Sequence, residues 1–440
     1  MTKKLLVVGA MAIAASAAFA EGYQVNTLSA RQNGMGHTGV AQKLGAESMI
    51  FNPAGMAWMD QNIEFSGSFT AIFAHASATY NGIKYNTDNN PSTPMAFNLG
   101  MNVYNNLKAG VSFYTPYGSG INWGDNWAGA VLNQSVDLKA FTVQPTLAWQ
   151  ILPNLSIGAG AMVTWGTVDL NKGLLTPEAM NGLLASMGSP ITFEDTPASI
   201  NLKGKAAVTV GINVGAMWDI NQQWTVGASY RSKMNLKVKK GEASVRYAND
   251  MAMSLLQNSV GLINQANFEA SMPAASVLNF GVSYKPINKL ILAFDVQFTG
   301  WKTYKELNIH FLSDQLADKF DQNLTKDYND AWLFKLGAQY SITSRFDIRA
   351  GFMVDTTPVN SDYYNPETPG MTKLSPSIGF SFSPVKQFSV DASLLYVAGL
   401  GKDNASCQYP NILNPSAPGT FTANYSVYAW NPSIGCTLKF

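Results

Sequence analysis

Charge is scarce in this chain: only 13% of its 440 residues are Asp, Glu, Lys or Arg, about half the share of an ordinary soluble domain. A surface facing water on every side is hard to build from that composition. Cysteine is scarcer still. Cys407 and Cys436 are the only two, which excludes a disulfide framework and leaves a single bridge open. After residue 20 no apolar run approaches the roughly 18 to 20 residues that a membrane-spanning helix needs, so a chain embedded in a membrane would have to cross it as strands. Net charge is +1, which offers no electrostatic footprint for nucleic acid. Catalytic signatures are missing as well: there is no G-x-S-x-G elbow, C-x-x-C, H-E-x-x-H or P-loop. His37, His75 and His310 stand apart in the sequence, so neither a metal nor a cofactor is expected. The one enzymatic reading left is an outer-membrane lipid hydrolase with a Ser–His pair assembled from distant strands.

What is present begins with a basic start at Lys3 and Lys4, an apolar stretch from Leu5 to Ala18 and the small-residue pattern Ala18-Phe19-Ala20. That layout is a secretory signal peptide over 1–20, with the mature chain starting near Glu21. From about Asn62 the chain alternates with period two. One face of 331–340 reads Trp332, Phe334, Leu336, Ala338, Tyr340, and the other Leu333, Lys335, Gly337, Gln339. Such alternation, half toward lipid and half toward a wet interior, also accounts for a mean hydropathy of only -0.02. Tight polar turns fall at Asn105-Asn106, Pro153-Asn154, Asn221-Gln222, Pro286 to Asn288, Thr343-Ser344 and Pro384 to Lys386. Long connections lie between them, around 81–93, 119–133, 172–198, 248–266, 310–329, 357–372 and 402–419. Sorting into short and long connections predicts an all-β fold, an outer-membrane antiparallel barrel of about fourteen strands over 61–440. Its last strand ends on Phe440, with Tyr428, Trp430, Ile434, Cys436 and Leu438 on the same face. A terminal Phe resembles the signal read by the barrel assembly machinery, and a face in lipid argues against bonding Cys436 to Cys407.

Residues 21–60 show no alternation and are rich in Gly, Ser, Ala and Asn. A barrel of that size needs a plug or leaves an open channel, so this segment is placed inside the lumen. Gly34, Gly36 and Gly39 satisfy G-x-G-x-x-G, but without a surrounding βαβ unit the nucleotide reading fails. Three runs carry a more specific likeness: Gly22-Tyr23-Gln24-Val25-Asn26, Gly34-Met35-Gly36-His37-Thr38-Gly39 and Phe51-Asn52-Pro53-Ala54-Gly55. They resemble the N-terminal hatch of the FadL-type family of outer-membrane transporters for hydrophobic compounds, a family that includes carriers of long-chain fatty acids and aromatic hydrocarbons. The resemblance spans nearly the whole mature chain. It implies a hatch, in which Gly22, Tyr23, Gln24, Asn52 and Pro53 take part, inside a fourteen-stranded barrel.

Strand parity turns Lys203, Lys205, Arg231, Lys233, Lys335 and Arg349 away from lipid-type neighbours such as Leu202, Ala206, Tyr230, Phe334 and Ile348. In the lumen such cations would bind a carboxylate head group, with Lys335 and Arg349 as the favoured pair, or would pair internally with Asp347, Asp295 or Asp391. Two long loops are apolar at helical spacing, with Leu183, Leu184 and Met187 in one and Leu255 and Leu256 in the other. The resemblance implies that they form an outer capture groove; the alternative is a cap packed on itself. In the third strand, Pro116-Tyr117-Gly118 should interrupt the ladder, where the resemblance implies an inward kink that opens the wall. The expected function is passive passage of hydrophobic molecules such as fatty acids across the outer membrane by a monomer in contact with outer-membrane lipid. Loop capture, a lumen pocket, hatch movement and lateral exit follow in that order. A general porin for polar solutes is the alternative.

Overall fold

The structure, a computed structural model, describes residues 22–313, 321–414 and 416–440. The expected signal peptide lies outside the described residues, as do parts of the connections expected at 310–329 and 402–419. Fourteen strands follow one another in chain order: β1 (Ile63–Thr70 with Phe73–Tyr80), β2 (Ile83–Asn86 with Met95–Tyr104), β3 (Leu107–Asn122), β4 (Ser135–Leu152), β5 (Leu155–Gly173), β6 (Ala198–Asp219) and β7 (Trp224–Arg231 with Met234–Tyr247) make one half. The other half comprises β8 (Gln265–Ala274 with Val277–Ile287), β9 (Leu290–Thr299 with Glu306–Phe311), β10 (Gln322–Thr325 with Ala331–Ser341), β11 (Phe346–Asp355), β12 (Lys373–Val385), β13 (Phe388–Gly399 with Lys402–Tyr409) and β14 (Gly419–Lys439). Each is antiparallel to its neighbours, and β14 returns to β1 with Phe65 opposite Leu438 and Phe69 opposite Ile434. The seam is completed by Phe440 and Ile63, whose backbone N–H groups donate to each other's carbonyls at 2.8 and 3.1 Å. Closure of β14 on β1 removes the terminal edges of the sheet.

The outside of the ring exposes Leu147, Val208, Val210, Ile212, Phe280, Leu336, Ile378 and Ile434, with Trp149, Trp218 and Trp224 near the short-turn end. An apolar belt of this extent is tolerable only against lipid. Cys407 and Cys436 are both free thiols. Two expectations about connections need correction. The connection expected at 81–93 is a two-residue hairpin, Asn81-Gly82, with both φ angles positive (49° and 78°), the conformation that such a turn demands. The segment expected as a loop from 402 begins with strand Lys402–Tyr409.

Parity also shifts within strands. Thr164 of β5 faces Thr209 of β6, whereas Gly166 faces Ala206, so two residues of β6 oppose Trp165. That bulge reverses which residues point inward. Above it Leu202 is buried while Lys203 and Lys205 are exposed, the reverse of the expected arrangement. Lys233 is exposed for a related reason: an irregularity between the two pieces of β7 turns both Arg231 and Met234 inward, with Lys233 outside.

The hatch fills the lower lumen. Helix α1 (Ala30–Asn33) starts at Ser29, whose Oγ accepts the Gln32 N–H at 3.0 Å, and 3₁₀ turns follow at Gly45–Ile50 and Pro53–Trp58. The inward face of the wall offers short polar groups that bind this segment. The Ala30 N–H donates to Ser68 Oγ (2.7 Å), Asn52 Nδ2 to the Val40 and Ala216 carbonyls (2.8 and 3.0 Å), and Ser229 Oγ to the Phe51 carbonyl (2.8 Å). The Asp295 carboxylate accepts from the Gly39 and Val40 N–H groups at 2.7 and 3.0 Å. Gly36 has φ +61° and lies so close to the wall that a methyl group on Gly351 would overlap its nitrogen. The glycine run therefore serves close approach of two backbones. Replacing Gly351 with valine should lift the hatch while the barrel still folds, so planar bilayers should show ion leakage that the parent protein lacks; unaltered conductance would count against the plug.

Glu47 is buried in the hatch, and burial pushes its carboxyl up to about 7, outweighing the Ser29 hydroxyl and the Arg31 charge that favour ionisation. A displaced, hydrated hatch would return Glu47 to its ordinary value of 4.5. Docking is therefore unpenalised below that value, weakens as pH rises, and reaches its full penalty above about 7. Leakage should be more frequent at about pH 8 than at about pH 5, and Glu47→Gln should flatten the difference. A pH response of equal size in that variant would show that another group is responsible.

Candidate functional site

Above the hatch, the inward face changes from short polar residues to an apolar lining. Leu138, Leu170, Leu202, Val238, Phe268 and Ile309 surround an open apolar space of about 820 Å³. Tyr23 of the hatch borders it. This ring is fully buried, packs edge-on against Trp301 (4.8 Å between centroids) and Tyr304 (6.0 Å), and bonds through its hydroxyl to the Pro273 carbonyl. A second space of about 810 Å³ is lined by Leu132, Lys172, Lys326, Tyr363 and Cys407. The two adjoin: Leu170 and Lys172 are successive inward residues of β5, and Glu367, which borders the first space, is ion-paired with Lys326. Lys172 is buried and donates from Nζ to Gln322 Oε1 at 2.7 Å. Among the described residues no carboxylate is ion-paired with it.

The wall is interrupted beside the first space. Ladder pairs between β2 and β3 stop at Ala96–Tyr114, and residues 114–119 of β3 are all buried, which marks a strand folded inward. A bulge between Tyr114 and Tyr117 in its pairing with β4 sets the bend. The freed edge pairs with the hatch. Val25 N–H donates to the Pro116 carbonyl and Gly118 N–H to the Tyr23 carbonyl, both at 2.9 Å, while Gln24 bridges to Tyr117. Opposite lies the break in β2, where Pro91 and Pro94 cannot donate to a ladder. Pro116, Tyr117 and Gly118 thus occupy a real interruption, and Gly22, Tyr23 and Gln24 are at its inner side.

The apolar loops contain the two expected helices. In α2 (Pro177–Ser186), capped by Thr176, Leu184 is fully packed, Leu183 partly so, and Met187 just past the end is 59% exposed. In α3 (Asp250–Val260), capped by Asn249, Leu256 is buried and Leu255 partly buried. Both helices join the apolar cluster that encloses the upper lumen. A narrower cleft of about 360 Å³ under them is lined by Leu174, Ile200, Leu262, Ile263 and Phe311, and none of the five loop residues singled out from the sequence borders it.

The cations favoured on parity are not brought together around the cavity. Lys335 is buried, donates to Gln297 Oε1 at 2.9 Å and stands opposite Asp295. Arg349 lies further down, bonded to Gln339 (2.8 Å) and Asp391 (3.3 Å) and facing a polar recess with Arg31, Lys386 and Lys439. Arg231 shares a small space with His37 and Lys335 between hatch and wall. Sequence reasoning missed Lys172, Lys326 and Glu367, because all three sit in or beside segments read as loop. Lys172 was within reach, since it continues the alternation of Leu170.

The match to known proteins agrees with this architecture. Residues 11–440 match the family model described as outer membrane protein transport protein (OMPP1/FadL/TodX). Outer membrane protein P1 of Haemophilus influenzae is 24% identical over 429 residues, covering 90% of this chain and 89% of that protein. A long-chain fatty acid transport protein of Escherichia coli O6:H1 is 23% identical over 424 residues, covering 90% and 91%. Among solved structures, a Pseudomonas aeruginosa FadL homologue superimposes with a TM-score of 0.79 at 17% identity, covering 95% of this chain and all of that one. The P. putida toluene transporter TodX gives 0.71 at 16%, covering 96% and 99%. This chain, a hatch-bearing barrel of fourteen strands, belongs to the OMPP1/FadL/TodX family of outer-membrane transport proteins.

Proposed function

We propose that the protein conducts elongated hydrophobic molecules, foremost long-chain fatty acids, passively from the outer loops into the apolar cavity and sideways out between β2 and β3. The observation that carries this reading is the cavity beside an interrupted wall whose free edge is held by the hatch. Helices α2 and α3 capture the molecule first, with Met187 the exposed contact and Leu183, Leu184, Leu255 and Leu256 supporting it. Withdrawal of Tyr23–Val25 then breaks two backbone hydrogen bonds, each contributing about 1 kcal/mol, and frees the rim formed by Pro116, Tyr117 and Gly118. A polar porin would need an open wet lumen, whereas the hatch occupies this one. In the same reading the chain works as a monomer, and Phe440 closes the seam as the signal read by the assembly machinery.

The carboxylate end of the substrate is assigned to Lys172, the buried cation at the junction of the two spaces. Lys335, Arg349 and Arg231 are assigned instead to holding the hatch, Lys335 through its position opposite Asp295. Lys172→Met should weaken fatty-acid binding by about 1.5 to 3 kcal/mol and leave binding of an uncharged hydrocarbon nearly unchanged. Equal losses for both ligands would remove the head-group role.

Lateral exit is tested by tethering cysteines placed on the facing rims, at 92–94 and 118–120, with a short thiol crosslinker in a Cys407→Ser, Cys436→Ser background. Uptake of labelled fatty acid should fall on crosslinking and recover with a cleavable linker. Unchanged uptake at full crosslinking would direct the path straight through the hatch.

A further inference from the structure

The lysines that the bulges turn outward are gathered on one stretch of wall. Lys203 and Lys205 lie on β6 and Lys237, Lys239 and Lys240 on β7, all exposed. A second bulge brings the last two together: Val238 of β7 faces Ala270 of β8 and Gly241 faces Phe268, so Lys239 and Lys240 oppose a single residue and both point out. Val238 also pairs with Ala206 of β6, which sets Lys237, Lys239 and Lys240 beside Lys205.

Their height on the wall is fixed by the belt below. Outward residues of β6 run from Trp218 through Ile212 and Val210 to Val208, ten residues or about 33 Å of strand. At a tilt of about 40° that is about 25 Å along the membrane normal, the height of an outer-membrane barrel's apolar band. Lys205 is the next outward side chain beyond the bulge, so the lysines stand where the belt ends, at the level of lipid head groups on the long-loop side. The nearby carboxylates do not neutralise them. Asp169 is taken by Lys203 at 3.1 Å, Glu242 stands opposite Lys203, and Glu269 is the one carboxylate set across from Lys239 and Lys240, one acid against two lysines. Among the described residues, Lys205, Lys237, Lys239 and Lys240 have no ion-pair partner.

We propose that this patch is a binding site for the phosphate groups of a phosphorylated glycolipid in the outer leaflet, whose acyl chains lie on the apolar belt below. Phosphate monoesters carry nearly two negative charges and three acceptor oxygens, which suits several ammonium donors converging from two strands. A soluble anion would find the lysines as readily, but only a lipid joins that charge to chains that cover Val208 and Val210. The site is separate from the cavity and does not rest on the transport reading.

The test is native mass spectrometry of the full mature barrel in mild detergent, titrated with diphosphorylated lipid A, with the same lipid after phosphate removal, and with phosphatidylglycerol. The parent protein should bind the phosphorylated glycolipid at least about tenfold more tightly than either comparator. The variant Lys205→Gln, Lys237→Gln, Lys239→Gln, Lys240→Gln should lose that preference, and the corresponding fourfold arginine variant should keep it. Folding is checked by heat-modifiable mobility. Equal binding of phosphorylated and dephosphorylated glycolipid to the parent protein would overturn the proposal without recourse to any variant. Equal binding of phosphatidylglycerol would overturn it too, as would a folded glutamine variant that binds as the parent does.

Discussion

Every backbone N–H and C=O that crosses a bilayer must find a partner inside the protein, because lipid offers none. Thirteen consecutive pairings and the β1–β14 seam meet that demand over most of the ring. The departure is at β3, where the ladder to β2 ends at Tyr114 and the chain bends inward. An unpaired stretch there would be costly, and Tyr23–Val25 supplies the missing partner from inside. The N-terminal segment is thus both a plug and a substitute strand. A strand integrated into the sheet could not leave, whereas a partner held at the edge by two backbone bonds can. The break in the wall and the segment proposed to move therefore meet at the same contact.

The polar half of each strand has its explanation in the same demand. A hatch with little regular structure has many backbone groups to satisfy, and Ser68, Ser229 and Asp295 satisfy some of them from the wall. Buried charge is tolerated where it does this. Asp295 is fixed by two hatch amides and faces Lys335 across the β9–β10 pair. Higher up there is no hatch to serve, and the inward face becomes Leu138, Leu170 and Leu202. The vertical change in lining marks off the plug from the cavity.

That change, together with the bulges, decides what could be read from the sequence. Period-two alternation identified β10 residue by residue, because it is regular over its full membrane span. The hatch was legible from the loss of alternation, and the kink from Pro116 and Gly118. Lys203, Lys205 and Lys233 were placed on the wrong face because one extra residue inverts parity, and nothing in the composition near Ala206–Val208 announces a bulge. Asn81-Gly82 did carry its hairpin signal, but the polar run after it resembled a loop. Lys172 escaped notice because a cation at a strand end reads as solvated until the loops above are seen to bury it.

The sideways exit proposed above follows from the solute rather than from the barrel. Each methylene moved from an apolar site into water costs about 0.8 kcal/mol, so a chain of about sixteen carbons leaving downward past the hatch would face a barrier of order ten kcal/mol. The lower lumen is polar and occupied, with Ser68, Ser229, Asp295 and Arg349 along the way. Sideways, the path runs from Leu138 and Tyr23 past Gly118 to a wall whose outer surface is already lipid. A hydrophobic molecule on that route never needs to be hydrated along its length. On the proposed route the groups that part are the two backbone pairs between the hatch and β3 and the Tyr23 hydroxyl bond and ring contacts beside them, all of which can be remade once the molecule has gone.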